Sequence, residues 1–370
     1  MPEIVLKNVT KRWGDFVAVD NLNMTIEDRD FITLLGPSGC GKTTTLRMIA
    51  GLETPTEGTI TIGGRTVFDS ERGINISPDK RDIGFLFQNY ALWPHMTVYQ
   101  NISFGLENMK WKKADIKARV AEMLKLLKIE EFSSRYPAEL SGGQQQRVAI
   151  ARTLAPAPKV LFMDEPLSNL DAKLRSEMRT ELKRLHADTD ATFLYVTHDQ
   201  LEAMTLATKI CLIDKGHLQQ YEPPLKVYCR PKNLFVADFV GNPTMNLIPA
   251  KAKLLNTKEV SLQLLGLSVL LRSDEEIELV SEDTIVGIRP ESLPISDTGR
   301  VSAMAYSTLP AGMETTVQIA IHGQILSSVV FGAIYYVGGE PIKFAFSGDG
   351  ICLFDKSSGN RIAIGSIEVK

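Results

Sequence analysis

Short apolar runs recur along the first two thirds of the chain and are separated by segments with helical spacing. The runs lie at 31–35, 83–87, 159–163 and 191–196. A clear helical face between two of them is formed by Leu174, Met178, Leu182 and Leu185. Because strand-like runs that alternate with amphipathic helices are typical of parallel sheets covered by helices, the pattern predicts an α/β domain.

A long helical block interrupts this alternation. Residues 97–135 carry helical spacing with lysines on the solvated faces, and another helical pattern begins near 141. We therefore expect an inserted helical subdomain at about 89–158, within a first domain that spans 1–235.

The pattern changes after Pro231. Residues 244–370 alternate short β-rich segments with turns such as 338–341 and 347–350. This stretch lacks helix–strand alternation and any cluster of titratable groups. It predicts a small all-β, OB-like barrel at 236–370 that performs no chemistry of its own.

Composition limits the classes of protein that remain. The chain has 370 residues, 23% of them charged, with a net charge of −3 and four cysteines. Without a basic excess, no nucleic-acid partner is expected. The cysteines form no C-x-x-C pair, which favours a reduced, cytosolic protein. The sequence lacks a signal-peptide pattern and any apolar run near the roughly 18 residues of a membrane span, so we expect a soluble chain.

One motif dominates the candidate chemistry. Residues 36–44 match the phosphate-loop pattern G-x-x-x-x-G-K-[ST], between the apolar run 31–35 and a helical pattern. Such a loop aims backbone N–H groups at phosphate oxygens, whereas the alternative is a plain glycine-rich turn. The expected nucleotide-binding residues of the loop are Gly36, Pro37, Ser38, Gly39, Cys40, Gly41, Lys42, Thr43 and Thr44.

Within the loop, Lys42 is expected to reach the β- and γ-phosphates, and Thr43 to offer its hydroxyl to Mg²⁺. The run 159–163 ends in Asp164 and Glu165. An apolar strand that ends in aspartate after a phosphate loop is typical of a Mg²⁺ ligand, and Glu165 then lies where it could deprotonate a water. The alternative is an acidic strand-to-turn pair.

Three further residues are candidates by position. Gln88 and His198 each follow an apolar run, and the carboxyl ends of parallel strands line the ligand crevice. Either could instead be a solvent-facing or structural strand end. Trp13, near a turn at 11–15, could stack on a purine base or simply pack at a strand end.

Residues 140–144 read Leu-Ser-Gly-Gly-Gln. Ser141 and Gln144 form the S-x-x-Q capping box of a helix, which alone would be the simpler interpretation. The paired glycines, Gly143 among them, would also expose helix N–H donors to an anion. Asp171 starts the next long helix and could be merely a first-turn acid.

Cys40 is expected to be the most reactive of the four cysteines. It lies beside Lys42 at a helix N-terminus, and both features favour a thiolate. The alternative is that the backbone of the loop shields the sulfur. Cys211, Cys229 and Cys352 lie in apolar strand or helix patterns, so we expect them to react more slowly.

Together these motifs resemble the nucleotide-binding subunits of ATP-binding-cassette (ABC) transporters over the whole chain. Residues 140–144 carry the family's signature. The resemblance implies an ATPase fold and a role for each of the remaining candidates. It makes Gln88 the Q-loop residue, Glu165 the catalytic base, Asp171 the D-loop residue, His198 the switch histidine and Trp13 the adenine-stacking aromatic, a position where tyrosine is usual.

Residues 235–246 and 287–291 narrow the resemblance to importers of maltose and glycerol phosphate. It implies a head-to-tail homodimer that binds two ATP, in which Ser141, Gly143 and Gln144 complete the partner's site. It also implies Mg²⁺ held by Thr43, Gln88 and Asp164, and a regulatory or dimerisation role for the β domain.

The same resemblance implies a location and partners. The chain would lie peripherally on the cytoplasmic face of the cell (inner) membrane, with integral-membrane permease subunits docked near Gln88 and Tyr90. A solute-binding protein would act indirectly through the complex. The cargo would be a carbohydrate or sugar-like solute.

Three alternatives remain at this point. The same ATPase role could serve a polyamine, iron or other solute. A soluble ABC ATPase acting on DNA or ribosomes usually carries zinc modules, coiled coils or tandem cassettes, which are not apparent here. A P-loop kinase would lack the 140–144 signature.

Overall fold

We describe the fold from a computed structural model. It describes residues 3–87, 89–168 and 170–369, so the predicted site residue Gln88 lies outside the described residues. The chain divides into two compact units, Met1–Pro224 and Leu225–Lys370. This division falls before the boundary at 235–236 that we expected from the sequence. Among the described residues, no helix is long and apolar enough to cross a bilayer.

The first unit alternates strands and helices. Its strands are β1 (Ile4–Trp13), β2 (Phe16–Ile26), β3 (Phe31–Leu35), β4 (Glu57–Ile62), β5 (Arg65–Asp69), β6 (Ile74–Asn75), β7 (Ile83–Leu86), β8 (Val160–Asp164), β9 (Thr192–Val196), β10 (Lys209–Asp214) and β11 (His217–Glu222). Its helices are α1 (Lys42–Ala50), α2 (Val98–Asn108), α3 (Lys113–Leu126), α4 (Gly142–Leu154), α5 (Ala172–Asp188) and α6 (Gln200–Leu206).

The central sheet has the strand order β11-β10-β3-β9-β8-β7. Every neighbouring pair from β10 to β7 is parallel, and β11 is antiparallel to β10. Strands β3, β8 and β9 are buried along their whole length, which explains their continuous apolar sequences. Because Asp164 pairs with Val196, the carboxyl ends of β8 and β9 meet at one edge, and the predicted α/β class is confirmed.

A second sheet, β2-β1-β4-β5-β6, is antiparallel. Here the expected turn at 11–15 was too long. Residues 11–13 continue β1, and the chain reverses only at Gly14 and Asp15, between the paired residues Trp13 and Phe16. Gly14 has a φ of 56°, which allows this tight reversal.

The helices α2, α3 and α4 lie within the range expected for a helical subdomain. They bury one face each into a shared apolar cluster that includes Ile102, Val120, Met123 and Val148. Helices α2 and α4 both begin with a complete capping box, built by Thr97 in α2 and by Ser141 in α4. These caps satisfy N–H groups that would otherwise lack a partner at the helix start.

The second unit confirms the prediction of a small all-β domain. Short helices α7 (Pro224–Cys229) and α8 (Leu234–Phe239) precede its strands. The strands are β12 (Asn246–Asn256), β13 (Glu259–Leu264), β14 (Leu267–Ser273), β15 (Asp283–Ile288), β16 (Val301–Pro310), β17 (Glu314–Ile321), β18 (Gln324–Phe331), β19 (Pro341–Phe344), β20 (Ile351–Asp355) and β21 (Arg361–Val369).

Within the described part of this unit, β12, β13, β14, β21, β20 and β15 close a barrel, and β18-β17-β16-β19 form a separate sheet. Strand β13 illustrates how the strands of the barrel face its core. Its residues Val260, Leu262 and Leu264 are buried, while the residues between them are not, so one face of the strand turns toward the barrel core.

Candidate functional site

The phosphate loop joins the end of β3 to the start of α1. Gly36, Gly39 and Gly41 all have positive φ, which favours glycine at each position. A Cβ on Gly36 would overlap the carbonyl oxygen of Ile213, and one on Gly41 would overlap that of Ala18, whereas Gly39 faces open space. The loop is therefore packed closely on its inner side and open on its outer side. Its open side and the first N–H groups of α1 fit a phosphate group.

Lys42 lies inside this loop. Its Nζ donates hydrogen bonds to the carbonyl oxygens of Gly36 at 2.7 Å and Pro37 at 2.8 Å, and the residue is only 5% exposed. An ammonium group carries three donors and a full charge. The loop thus places a positive charge at the position where phosphate oxygens would enter.

The expectation that Cys40 is an activated thiol is wrong. Its side chain is almost fully buried, and this burial raises the pKa of the thiol, although neighbouring Lys42 acts to lower it. Cys229, which we expected to react more slowly, is the exposed cysteine. A thiol in apolar surroundings stays protonated and reacts slowly, so Cys40 serves the loop by packing beneath Gly36.

Thr43 and Asp164 meet beside the loop. The hydroxyl of Thr43 donates to Asp164 Oδ1 at 3.0 Å, and Arg47 Nη2 lies 3.4 Å from Asp164 Oδ2. A hydroxyl and a carboxylate at this distance form an oxygen donor set of the kind that Mg²⁺ binds in phosphoryl-transfer sites. Sequence reasoning missed Arg47, although its spacing of four residues from Thr43 puts it on the same face of α1.

Glu165 and His198 form the second contact of the site. Glu165 Oε2 lies 3.3 Å from His198 Nδ1, and both side chains are partly open to solvent. The backbone N–H of Glu165 donates to the carbonyl oxygen of Val196 at 3.1 Å, which fixes it beyond the end of β8. Its φ of 45° is unusual for a residue with a side chain, and such strain is often concentrated at active sites.

The signature segment caps α4 as predicted. Ser141 Oγ accepts from the N–H of Gln144, and Gln144 Oε1 accepts from the N–H of Ser141 at 2.8 Å. A Cβ on Gly143 would overlap Leu174 Cδ2, whereas Gly142 faces open space. No hydrogen bond or ion pair made by the described residues joins this segment to 36–44.

Asp171 and Trp13 occupy the positions that the sequence suggested. Asp171 is the N-cap of α5, where its Oδ1 accepts from the N–H of Leu174 at 3.0 Å. Trp13 is 46% exposed, and its ring lies parallel to that of Phe16 with centroids 6.3 Å apart. Lys11 Nζ also lies over the indole, 5.3 Å from its centroid, so a base that stacks on Trp13 would have to share the ring with these neighbours.

Tyr90, expected near a docking surface, is buried, and its hydroxyl lacks a hydrogen bond within the described part of the chain. Its carbonyl oxygen accepts from Arg152 Nη2 at 2.7 Å, and that of Ala91 accepts from Nη1. The neighbouring Phe87 is exposed. A partner at this surface would therefore meet neighbours of Tyr90, not its ring.

Comparison with known proteins agrees with this geometry. Residues 19–168 match the family model described as ABC transporter. The trehalose/maltose import ATP-binding protein MalK of Thermococcus litoralis is 42% identical, over 98% of this chain and 100% of its own length. The sn-glycerol-3-phosphate import ATP-binding protein UgpC of Brucella abortus is 44% identical, over 83% of this chain and 82% of its own length.

Among solved structures, the ATP-binding cassette MJ0796, in a dimeric post-hydrolysis state bound to ADP and Pi, is 34% identical with a TM-score of 0.52. The match covers 60% of this chain and 98% of the MJ0796 chain. The chain thus combines a phosphate loop, an acidic pair at a strand end and a capped signature helix. It is similar to ABC import ATP-binding proteins over most of its length. The chain belongs to the ABC transporter family and is an ATPase of that family.

Proposed function

We propose that this chain is the ATP-hydrolysing subunit of an importer and drives uptake of a carbohydrate or sugar-like solute through partner membrane subunits. The observation that carries the hydrolytic role is the contact between Glu165 and His198 at 3.3 Å, beside the pair formed by Thr43 and Asp164. Asp164, Glu165 and His198 therefore lie at the ends of the neighbouring strands β8 and β9, and Thr43 reaches them from the start of α1.

The residues divide the work of hydrolysis among them. Lys42 and the loop N–H groups bind the phosphates of ATP, and Trp13 stacks on its base. Thr43 and Asp164, with Gln88, would hold Mg²⁺, which would supply charge neutralisation at the transferred phosphoryl group. Glu165 orients and deprotonates the attacking water, and His198 holds Glu165 in place and supports the γ-phosphate.

Two copies are required to complete each site. Among the described residues, Ser141, Gly143 and Gln144 make no hydrogen bond or ion pair with the phosphate loop of their own chain, and Gly142 leaves the start of α4 open. A second copy placed head to tail would bring this helix start, with its partial positive charge, to the bound phosphates. Asp171 would then face the opposite subunit, and the dimeric state of the MJ0796 cassette supports this arrangement.

Replacement of Glu165 by Gln tests the hydrolytic role. The change keeps the size of the side chain but removes the base, so we expect ATP turnover to fall by about 100-fold or more while the Kd for ATP stays within about threefold. Phosphate release and a fluorescent ATP analogue measure the two quantities, and gel filtration with ATP should show a trapped dimer. The matched control is Glu276→Gln at an exposed carboxylate of the second unit. Turnover that stays within about tenfold of the parent chain would remove Glu165 from the base role.

The names of two relatives support the proposed carbohydrate cargo and the proposed position at a membrane. MalK is named for trehalose/maltose import and UgpC for sn-glycerol-3-phosphate import. We infer a peripheral position on the cytoplasmic face of the cell membrane, bound to permease subunits near Gln88 and Phe87 and served indirectly by a solute-binding protein. The second unit would regulate or dimerise the subunit.

The cargo test uses the chain reconstituted with its copurifying permease and solute-binding protein. Maltose or trehalose should accelerate ATP hydrolysis, and glycerol 3-phosphate should not. Stimulation by glycerol 3-phosphate alone would favour the second candidate, a phosphate-ester importer of the UgpC kind.

A further inference from the structure

The guanidinium group of Arg175, in the first turn of α5, contacts three other residues. Arg175 Nη2 donates to the carbonyl oxygen of Leu170 at 3.0 Å. Its Nη1 lies 3.5 Å from Asp199 Oδ2, and its Nε lies 3.9 Å from Glu202 Oε1. A rigid, planar fork of donors suits such bridging better than an ammonium group does. Arg175 therefore links the loop before α5 to the start of α6.

Glu202 is the buried end of this link. It is only 3% exposed, and its Oε2 accepts from Tyr195 Oη at 2.8 Å and from Thr197 Oγ1 at 2.7 Å. Burial raises the pKa of this carboxyl, and Arg175 acts in the opposite direction. Because Thr197 is the residue immediately before His198, its hydrogen bond to Glu202 restrains the chain on the N-terminal side of the histidine.

Asp199 restrains the chain on the C-terminal side of His198. Its Oδ1 accepts from the N–H groups of Leu201 at 2.8 Å and Glu202 at 3.1 Å, and its own N–H donates to Thr197 Oγ1 at 3.0 Å. The capping oxygen and the oxygen that faces Arg175 are thus different atoms of one carboxylate. His198 therefore lies between two residues, both of which are tied to this cluster.

The Leu170 carbonyl belongs to the opposite segment of the site. Residues 165–171 begin with Glu165 and end with Asp171, the cap of α5. The two segments meet where Glu165 Oε2 lies 3.3 Å from His198 Nδ1. A single side chain, remote from the phosphate loop in sequence, thus bridges the segment of Glu165 and the segment of His198.

We propose that Arg175 is a positioning residue for ATP hydrolysis, which holds segments 165–171 and 197–199 together so that His198 meets Glu165. The proposal rests on the hydrolytic role proposed for Glu165 and His198. Arg175 Nε is buried and has no hydrogen-bond partner among the described residues. This nitrogen faces the carboxylate of Glu202, whose Oε1 lies 3.9 Å away.

The first test compares Arg175→Ala and Arg175→Lys with the control Arg184→Ala in the full chain. Arg184 lies on the same helix in an exposed pair with Asp188. A small misplacement of catalytic groups can cost up to about 100-fold, so we expect kcat to fall about 10- to 100-fold in Arg175→Ala. The KM for ATP and the Kd for nucleotide should stay within about threefold, because Arg175 forms no hydrogen bond or ion pair with the phosphate loop among the described residues. Lysine should restore part of kcat, and the control should match the parent chain.

The second test combines each variant with His198→Ala. If Arg175 acts by positioning His198, its replacement should cost little once the imidazole is absent. If Arg175 served only structural packing, its replacement would lower kcat by the same factor in both backgrounds. That result would overturn the proposal. If Arg175→Ala does not fold, Glu202→Gln serves instead, because it keeps the size of the side chain and removes the charge that faces Arg175.

The outcomes separate this proposal from the function on which it rests. A normal kcat in Arg175→Ala, with a reduced kcat in His198→Ala, would overturn only the role of Arg175. A normal kcat in His198→Ala would overturn both that role and the assignment of His198. Retained turnover in Glu165→Gln would instead count against the proposed base.

Discussion

At the scale of single residues, burial decides the behaviour of the phosphate-loop cysteine. Lys42 lowers the pKa of the Cys40 thiol, but desolvation raises it by more. A sequence shows the lysine two positions away and the helix that follows. It does not show that Cys40 lies under Gly36, where a thiolate would lose its solvation.

The structure therefore changes the expected order of cysteine labelling. A maleimide should modify Cys229 first, because it is exposed, whereas Cys40, Cys211 and Cys352 are buried. Burial also raises the pKa of Cys352 to about 11, so little thiolate exists there near neutral pH. Mass spectrometry of the labelled chain gives the order, and Mg-ATP should leave the rate at Cys229 unchanged.

The variant Cys229→Ser is the control, and it should lose the fast phase of labelling while keeping ATP turnover. Fast modification at Cys40 that Mg-ATP blocks would show that the loop opens far enough to solvate its thiol.

At the scale of elements, the start of α4 is shaped by α5 as well as by its own cap. Ser141 and Gln144 close a capping box, and this was visible in the sequence. The reason for Gly143 was not, because Leu174 reaches it from a different helix. One glycine of the pair is thus fixed by packing within the chain, and the other is left facing open space.

The two glycines provide a matched pair of substitutions. Gly143→Ala should lower the free energy of unfolding by up to about 1 kcal/mol, because the half-buried Leu174 side chain must leave its rotamer to clear the new methyl group. Gly142→Ala should be neutral or stabilise by up to about 1 kcal/mol, since nothing lies near its Cβ position and alanine favours the helix. Urea unfolding of the full chain measures both.

Leu174→Ala in the Gly143→Ala background should recover part of the lost stability, because it removes the overlapping atoms. Equal stability of the two glycine variants would contradict the packing explanation.

The elements differ in how well the sequence predicted them. Strands β3, β8 and β9 were found because burial on both faces leaves a continuous apolar run. The hairpin of β1 and β2 was underestimated, because its polar outer face hides the period of a strand. Residues that depend on distant partners, such as Arg47 and Arg175, were missed because local spacing does not show which carboxylate they meet.

At the scale of the whole molecule, the segment 225–243 belongs with the barrel. Arg289, buried in the second unit, donates to the carbonyl oxygens of Tyr228 at 2.7 Å and Ala237 at 3.3 Å. Ala237 also packs with Met245 and Phe354. The sequence-based boundary at 235–236 falls later because the change to short β-rich segments becomes visible only after Pro231, beyond α7.

This division predicts where the chain can be cut. The fragment 1–224 should fold, remain soluble and bind ATP with a Kd within about threefold of the full chain, because every described residue of the phosphate site lies within it. The longer fragment 1–240 should aggregate or unfold at a lower temperature. It retains Val236, Ala237 and Val240, which are fully buried in the intact chain, without the barrel strands that cover them. Gel filtration and a thermal melt of both fragments, with and without ATP, make the comparison. If 1–240 is the well-behaved fragment and 1–224 fails to bind nucleotide, then α7 and α8 stabilise the ATPase unit, and the folding boundary lies after them.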